Sequence, residues 1–347
     1  MGTLRDAWEG KPVHLLVLGG SDFVGRAVVN EALDRGYAVT TFNRGRTAAP
    51  PPDVETLIGD RTRADDLVVL SGRSWDAVVD TWSDAPRHVL ATAELLAGWV
   101  GHYGYVSSRS VYRWPIPPGT DESAPVVDAD PAAATTDYAA DKRGGELAVL
   151  TGYGDGLLAR AGLILGPHEN VGRLPWWLHR MAAGGDVLAP GPPDLPLQYV
   201  DARDLASWML DCAERRTTGA FNAVSPPGHA TTAELLECCR AVTGGAAHLV
   251  WVDPGFLLAH EVEPWTELPI WVAPESELVG LHTGNTSKAA AAGLACRPVA
   301  ETVADTWEWL RDLDEPPLRE DRSAPGLDRA KERLVLAAWR DRTSAQA

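Results

Sequence analysis

At 347 residues the chain is long enough for a large core, and one α/β unit with a smaller appended domain is the expected plan. A net charge of -17 with no evident basic patch argues against nucleic acid or an anionic membrane as partner. No apolar run approaches the roughly 20 residues that span a bilayer, and the first one is too short for a secretory core, so a cytoplasmic location is expected.

Residues 13–18 are an apolar run, Gly19-Gly20-Ser21-Asp22-Phe23-Val24-Gly25 a turn, and residues 26–33 continue at helical spacing. A strand that feeds a helix through such a turn aims backbone N–H groups and the positive end of the helix dipole at one point, which suits a pyrophosphate. Gly19 and Gly25 hold the fingerprint spacing, but Asp22 stands where the middle glycine is usual and brings a negative charge. Residues 38–42 read as the second strand, with Asn43-Arg44-Gly45-Arg46 at its exit. Further apolar runs at 54–58, 76–80 and 103–106 alternate with helical patterns at 63–70 and 87–100. Such alternation predicts a Rossmann-type doubly wound parallel sheet. Residues 112–131 read as a long loop, 138–150 as a helix and 157–165 as one more buried strand.

Beyond Gly166 the alternation weakens and Pro, Gly and Trp become frequent. The expected division is a dinucleotide-binding unit at 12–166, with further sheet elements from about 195–225, a smaller substrate domain at 167–313 and a helical tail at 314–347. Thr231 and Glu234 form a capping-box pattern, and 299–313 and 327–339 read as amphipathic helices. Cys212, Cys238, Cys239 and Cys296 have no paired spacing and are expected as free thiols; no metal site is expected.

Tyr138 and Lys142 lie four residues apart and share a helix face. An ammonium there favours the phenolate, which makes Tyr138 a candidate acid and base. Taken alone, the spacing is also what two unrelated surface residues would show. Upstream, Tyr105-Val106-Ser107-Ser108-Arg109-Ser110-Val111-Tyr112 ends a strand in hydroxyls, at the edge where parallel sheets bind ligands.

These motifs, with Leu163-Ile164-Leu165-Gly166-Pro167 and Tyr199-Val200-Asp201-Ala202-Arg203-Asp204-Leu205-Ala206, resemble an extended or atypical short-chain dehydrogenase/reductase of the NAD-dependent epimerase/dehydratase family. The resemblance covers about residues 13 to 313. It implies Ser108, three residues before the Val-Tyr pair, as the catalytic serine, Tyr138 as proton carrier and Lys142 as a further contact to the nicotinamide ribose. The glycine loop, including Ser21, Asp22, Phe23 and Val24, would hold the pyrophosphate, Asp60 the adenine, and Thr81 and Trp82 would line the cofactor channel. Arg44 and Arg46 suit a 2′-phosphate, so NADP leads NAD.

Ser108-Arg109-Ser110 replaces the acidic pair that sugar-nucleotide dehydratases place before Val-Tyr, and Thr120-Asp121-Glu122 reads as a surface turn, so dehydration is disfavoured. Trp114, Trp176, Trp177, Trp265 and Trp271 offer ring-stacking surface, with core packing the ordinary alternative. Arg109, Trp114, His168 and Trp176 are the candidate substrate contacts, and Glu169 shares the position of His168 beside the domain crossing. The expected activity is hydride transfer between a nicotinamide and a carbonyl or carbinol carbon of a small molecule. A cofactor-retaining sugar-nucleotide epimerase and a non-catalytic regulatory or RNA-associated member remain alternatives, and a homodimer is implied by resemblance alone.

Overall fold

The computed structural model describes residues 12–46, 51–319 and 323–345. Seven parallel strands form the main sheet, in the order β11-β6-β5-β4-β1-β2-β3. They are β1 (His14–Leu18), β2 (Ala38–Asn43), β3 (Val54–Ile58), β4 (Ala77–Asp80), β5 (Tyr103–Ser108), β6 (Leu157–Ala161) and β11 (Gly219–Ala223). Strand order reverses between β1 and β4, and ligands of such sheets gather in the crevice at that point.

The strands read as unbroken apolar runs because both faces are covered. Helices α1 (Phe23–Asp34) and α5 (Ala202–Glu214) bury Val28, Val29, Leu205 and Met209 on one face. On the other, α2 (Pro86–Leu96) and α3 (Tyr138–Gly152) bury Val89, Leu96, Ala148 and Val149. The expected 63–70 helix is a short helical turn, Ala64–Leu67, that tightens into a 3-10 turn at Val68–Leu70.

The single strand expected at 157–165 is two strands in two sheets. At Gly162 the chain leaves β6, and β7 (Leu163–Leu165) pairs with β10 (Tyr199–Asp201) instead. A side chain on Gly162 would sit 2.6 Å from Val224, so only glycine lets the two chains cross here. Beyond that break, helices α4 (Arg173–Ala182), α6 (Thr232–Val242), α7 (Val299–Leu310) and α8 (Arg329–Ser344) pack with two more strand pairs. Those pairs are β8 (Gly185–Pro190) with β13 (Ala247–Val252), and β9 (Pro196–Leu197) with β12 (Ala230–Thr231). The Thr231–Glu234 capping box opens α6 as its spacing predicts.

The end of the chain belongs to this second core rather than standing apart as a tail. Leu327, Val335 and Leu336 are buried in it, and Glu332 of α8 holds Arg180 of α4 in a buried ion pair at 2.9 Å. Cys212 and Cys239 are buried, and all four cysteines are free thiols. Among the described residues no helix is long and apolar enough to cross a membrane.

Candidate active site

The turn after β1 is built by contacts that exclude side chains. A Cβ on Gly19 would lie 2.5 Å from Thr81 Oγ1, and one on Gly20 2.8 Å from Thr41 Cγ2. One on Gly25 would lie 2.6 Å from the Gly20 nitrogen, so helix and turn touch through bare backbone. Gly19 and Gly20 also have φ of 117 and 90, in the left-handed region. Asp22 is the N-cap of α1, yet its side chain makes no capping bond and is exposed. Its carboxylate is therefore hydrated, and water screens part of the repulsion it would exert on a phosphate. The open helix N-terminus and the cradle that a Cβ would fill suit a dinucleotide pyrophosphate.

Around that turn, Thr81 donates to the Leu18 carbonyl at 3.0 Å and fixes the β4 exit against β1. Trp82 donates through its indole to Ala85 O. At the β2 exit, Asn43 accepts the Gly45 N–H and shapes the loop, and Arg44 and Arg46 are exposed. Asp60 accepts both the N–H and the hydroxyl of Thr62; these bonds first, then Arg44 and Arg46, lower its pKa. The two guanidiniums and this carboxylate thus meet at one corner of the sheet.

The end of β5 separates its two serines. Ser107 donates to Glu146 at 2.7 Å, and Glu146 is fully buried against Arg160, so this hydroxyl is engaged in packing β5, β6 and α3 together. Ser108 faces the other way, and its Oγ accepts the Ser110 N–H at 3.1 Å. That bond orients the oxygen and leaves the Ser108 hydroxyl hydrogen as the group to offer a ligand. Tyr138 is the first residue of α3, capped by Asp137, and is 40% exposed.

Lys142 departs from the expected arrangement. Its ammonium is buried and donates to Trp82 O and Val106 O, each at 2.6 Å, so two of its N–H groups are held by backbone. It also stands 4.9 Å from the ring centre of Tyr105, whose hydroxyl donates to the same Trp82 carbonyl. Burial pulls the Lys142 pKa down to about 7, with Asp80 opposing and Arg319 adding to the shift. Lys142 ties α3 to the exits of β4 and β5, with one N–H still uncommitted by those bonds.

Beneath Trp82 lies an ion pair that the sequence reading passed over. Arg61 holds Asp80 at 2.6 and 2.9 Å, and Asp80 also accepts Tyr103 Oη and the Trp82 N–H. A charged residue closing the apolar run Ala77-Val78-Val79 was the available signal. Likewise Glu146 follows Lys142 by one helical turn, on the same face.

The candidate substrate contacts scatter. Arg109 is buried and donates to Leu281 O and Gly280 O, both at 2.8 Å, so it clamps the backbone and does not face an anion. Trp114 is half-buried on the 112–131 loop. Half-buried His168 packs against Trp309 with its ring tilted by 55° and the ring centres 5.0 Å apart; burial, then Arg26, lowers its pKa to about 4 and keeps it neutral. Glu169 is fully buried and caps α4 through the Arg173 and Leu174 N–H groups, which removes it from substrate. Trp176 packs edge-on to Trp177 and against Gly326. Thr120-Asp121-Glu122 is a surface turn only at Asp121: Thr120 is buried, and Glu122 accepts the Asn222 N–H of β11 at 2.7 Å. These bonds hold the long loop onto the sheet.

Comparison with known proteins agrees with this geometry. The NAD dependent epimerase/dehydratase family model matches residues 15–223. The chain belongs to this family. Members of the NAD-dependent epimerase/dehydratase family work on a nicotinamide cofactor, and the chain is a short-chain dehydrogenase/reductase-type oxidoreductase acting on a small molecule. A curated relative, dTDP-6-deoxy-L-talose 4-dehydrogenase (NAD(P)(+)) from Kitasatospora kifunensis, is 25% identical over 292 residues, 76% of this chain and 90% of its own length. Among solved structures, the Bordetella bronchiseptica enzyme WbmH in complex with NAD+ has a TM-score of 0.65 at 16% identity, covering 86% of this chain and 98% of its own. The UDP-glucose 4-epimerase of Thermus thermophilus in complex with NAD gives 0.60 at 19%, covering 86% and 99%. At these identities the two structures speak for the fold.

Proposed function

We propose that the chain is an NADP-preferring oxidoreductase that moves a hydride between the cofactor and a carbonyl or carbinol carbon, with Ser108 and Tyr138 handling the substrate oxygen. The separation of the two serines carries this reading, because only Ser108 keeps a hydroxyl hydrogen to donate. The nicotinamide, when bound, supplies or accepts the hydride. Ser108 donates to the substrate oxygen and holds it. Tyr138, exposed at the start of α3, gives a proton to that oxygen in reduction and takes it in oxidation. Lys142 holds the β4 and β5 exits in register and keeps one N–H for the cofactor ribose. Gly19, Ser21, Phe23, Val24 and Gly25 form the pyrophosphate cradle, with Asp22 exposed to solvent. Arg44 and Arg46 support the choice of NADP, because two guanidiniums offset Asp60 and leave net positive charge for a 2′-phosphate.

The substrate named for the Kitasatospora relative, dTDP-6-deoxy-L-talose, is the first compound to test. Turnover is followed by NADPH absorbance. Tyr138→Phe should lose at least about a hundredfold in turnover while binding NADPH as the parent does. A variant that keeps full activity would remove Tyr138 from the chemistry.

A further inference from the structure

The ion pair beneath Trp82 joins the loop after β3, the end of β4 and helix α2. Arg61 and Asp80 are both buried, and the two guanidinium nitrogens that hold the carboxylate do so at 2.6 and 2.9 Å. One of them also reaches the His88 carbonyl and the Thr92 hydroxyl of α2, at 3.1 and 3.0 Å. Asp80 takes two further donors, Tyr103 Oη at 2.7 Å and the Trp82 N–H at 3.0 Å. The guanidinium also lies 4.9 Å from the centre of the Trp82 ring, whose indole is tied to Ala85 O. Trp82 is thus fixed at its N–H and at its ring, and its carbonyl accepts Lys142 Nζ at 2.6 Å and Tyr105 Oη at 3.1 Å.

Packing alone does not require charge at this depth, since apolar residues of the same volume would fill the space as stably. Charge held there acts on the next buried charge, which is the ammonium. The charged and titratable groups around Lys142 are Asp80 and Arg61 from the β4 side, Tyr105 of β5, Glu146 and Tyr138 one turn away on α3, and Arg319 of the C-terminal segment. Burial disfavours the ammonium most; against it, Asp80 favours the charged form more than Arg61 disfavours it.

We propose that Arg61 and Asp80 are positioning residues of the hydride-transfer site, holding the Trp82 carbonyl against Lys142 and supplying the counter-charge for its ammonium beside Tyr138. The inference rests on the reading of Tyr138 and Lys142 given above. A charged Lys142 favours the Tyr138 phenolate, so a chain without the Asp80 carboxylate would discharge the lysine and leave the phenol harder to ionise.

Carbon-13 labelling at lysine Cε tests this on the full chain without any turnover. There are four lysines, and the Lys142 resonance is the one lost in Lys142→Met. Its titration in the parent should have a midpoint of about 7. Asp80→Asn should lower that midpoint by about one pH unit or more. Arg61→Met should raise it, because a like charge is gone while Asp80 keeps Tyr103 and the Trp82 N–H as donors. A pair that served the fold alone would shift both variants the same way, toward an ordinary lysine as the structure loosens. Each single variant leaves a buried charge unpaired, which is strongly destabilising. The double variant Arg61→Met, Asp80→Asn leaves none, and it should still titrate below the parent, by less than Asp80→Asn, because Asp80 is the stronger influence. That result decides the matter even where a single variant does not fold. A parental midpoint in the double variant, or shifts in the same direction in both single variants, would overturn the inference. Tyr138→Phe decides the hydride-transfer reading separately, since it is read by turnover.

Discussion

Asp22 concentrates the question of cofactor affinity in one side chain. Had its carboxylate faced a phosphate at 4–5 Å in a partly shielded site near the protein surface, the cost would be about 4 kcal/mol, whereas a fully solvated one costs about 1 kcal/mol. The exposed position selects the smaller figure. Asp22→Gly should therefore tighten NADPH binding by less than about tenfold, measured by fluorescence titration in low and physiological salt. A hundredfold gain would place the carboxylate against the pyrophosphate after all. The places of Ser108 at the end of β5 and of Tyr138 at the start of α3 were legible in the sequence, because the apolar run and the helical spacing set those element ends. The direction of Lys142 was not, since helical spacing gives the face of α3 but not the two carbonyls, Trp82 O and Val106 O, that wait there. Nor could spacing distinguish Arg109 as a substrate contact from Arg109 as a clamp, because its partners lie about 170 residues away in sequence.

At the scale of elements, Gly25 joins the turn to α1 through direct backbone contact. Gly25→Ala would push a methyl group to within 2.6 Å of the Gly20 nitrogen. Overpacking of this kind costs about 1–3 kcal/mol, so thermal unfolding should fall by several degrees and NADPH should no longer raise it. An unchanged midpoint with normal NADPH protection would show that the turn tolerates a side chain. Arg109 belongs to this scale too. Arg109→Met strips the Gly280 and Leu281 carbonyls of their partner at about 1–3 kcal/mol each, and urea unfolding should show the loss; unchanged stability with a raised KM would restore a substrate role. The strand alternation of the first half was readable from periodicity. The break at Gly162 was not, because residues 157–165 are apolar throughout and only the crossing with Val224 divides them.

Across the whole molecule, buried charge links stability to pH. Lys142 in the folded chain titrates at about 7, below the 10.5 of an ordinary lysine. Between these values the unfolded chain binds more protons, so stability rises as pH climbs from about 7 toward 10.5 and is flat with respect to this group below 7. Lys142→Met keeps the stem without the charge and should remove that rise, measured as urea midpoints across the range. Parallel profiles for the two proteins would return Lys142 to its ordinary pKa. The second half was the least legible part of the chain. Its short strand pairs, and the buried Arg180–Glu332 contact that draws the last helix into the core, join residues far apart in sequence and leave no periodic trace.

The most direct measurement is a calorimetric titration of the full chain with NADPH and with NADH, repeated on Tyr138→Phe and on the double variant Arg44→Ala, Arg46→Ala. The parent and Tyr138→Phe should bind NADPH alike and about tenfold or more tighter than NADH, and the double variant should lose that preference. Absence of binding to either dinucleotide would contradict the account.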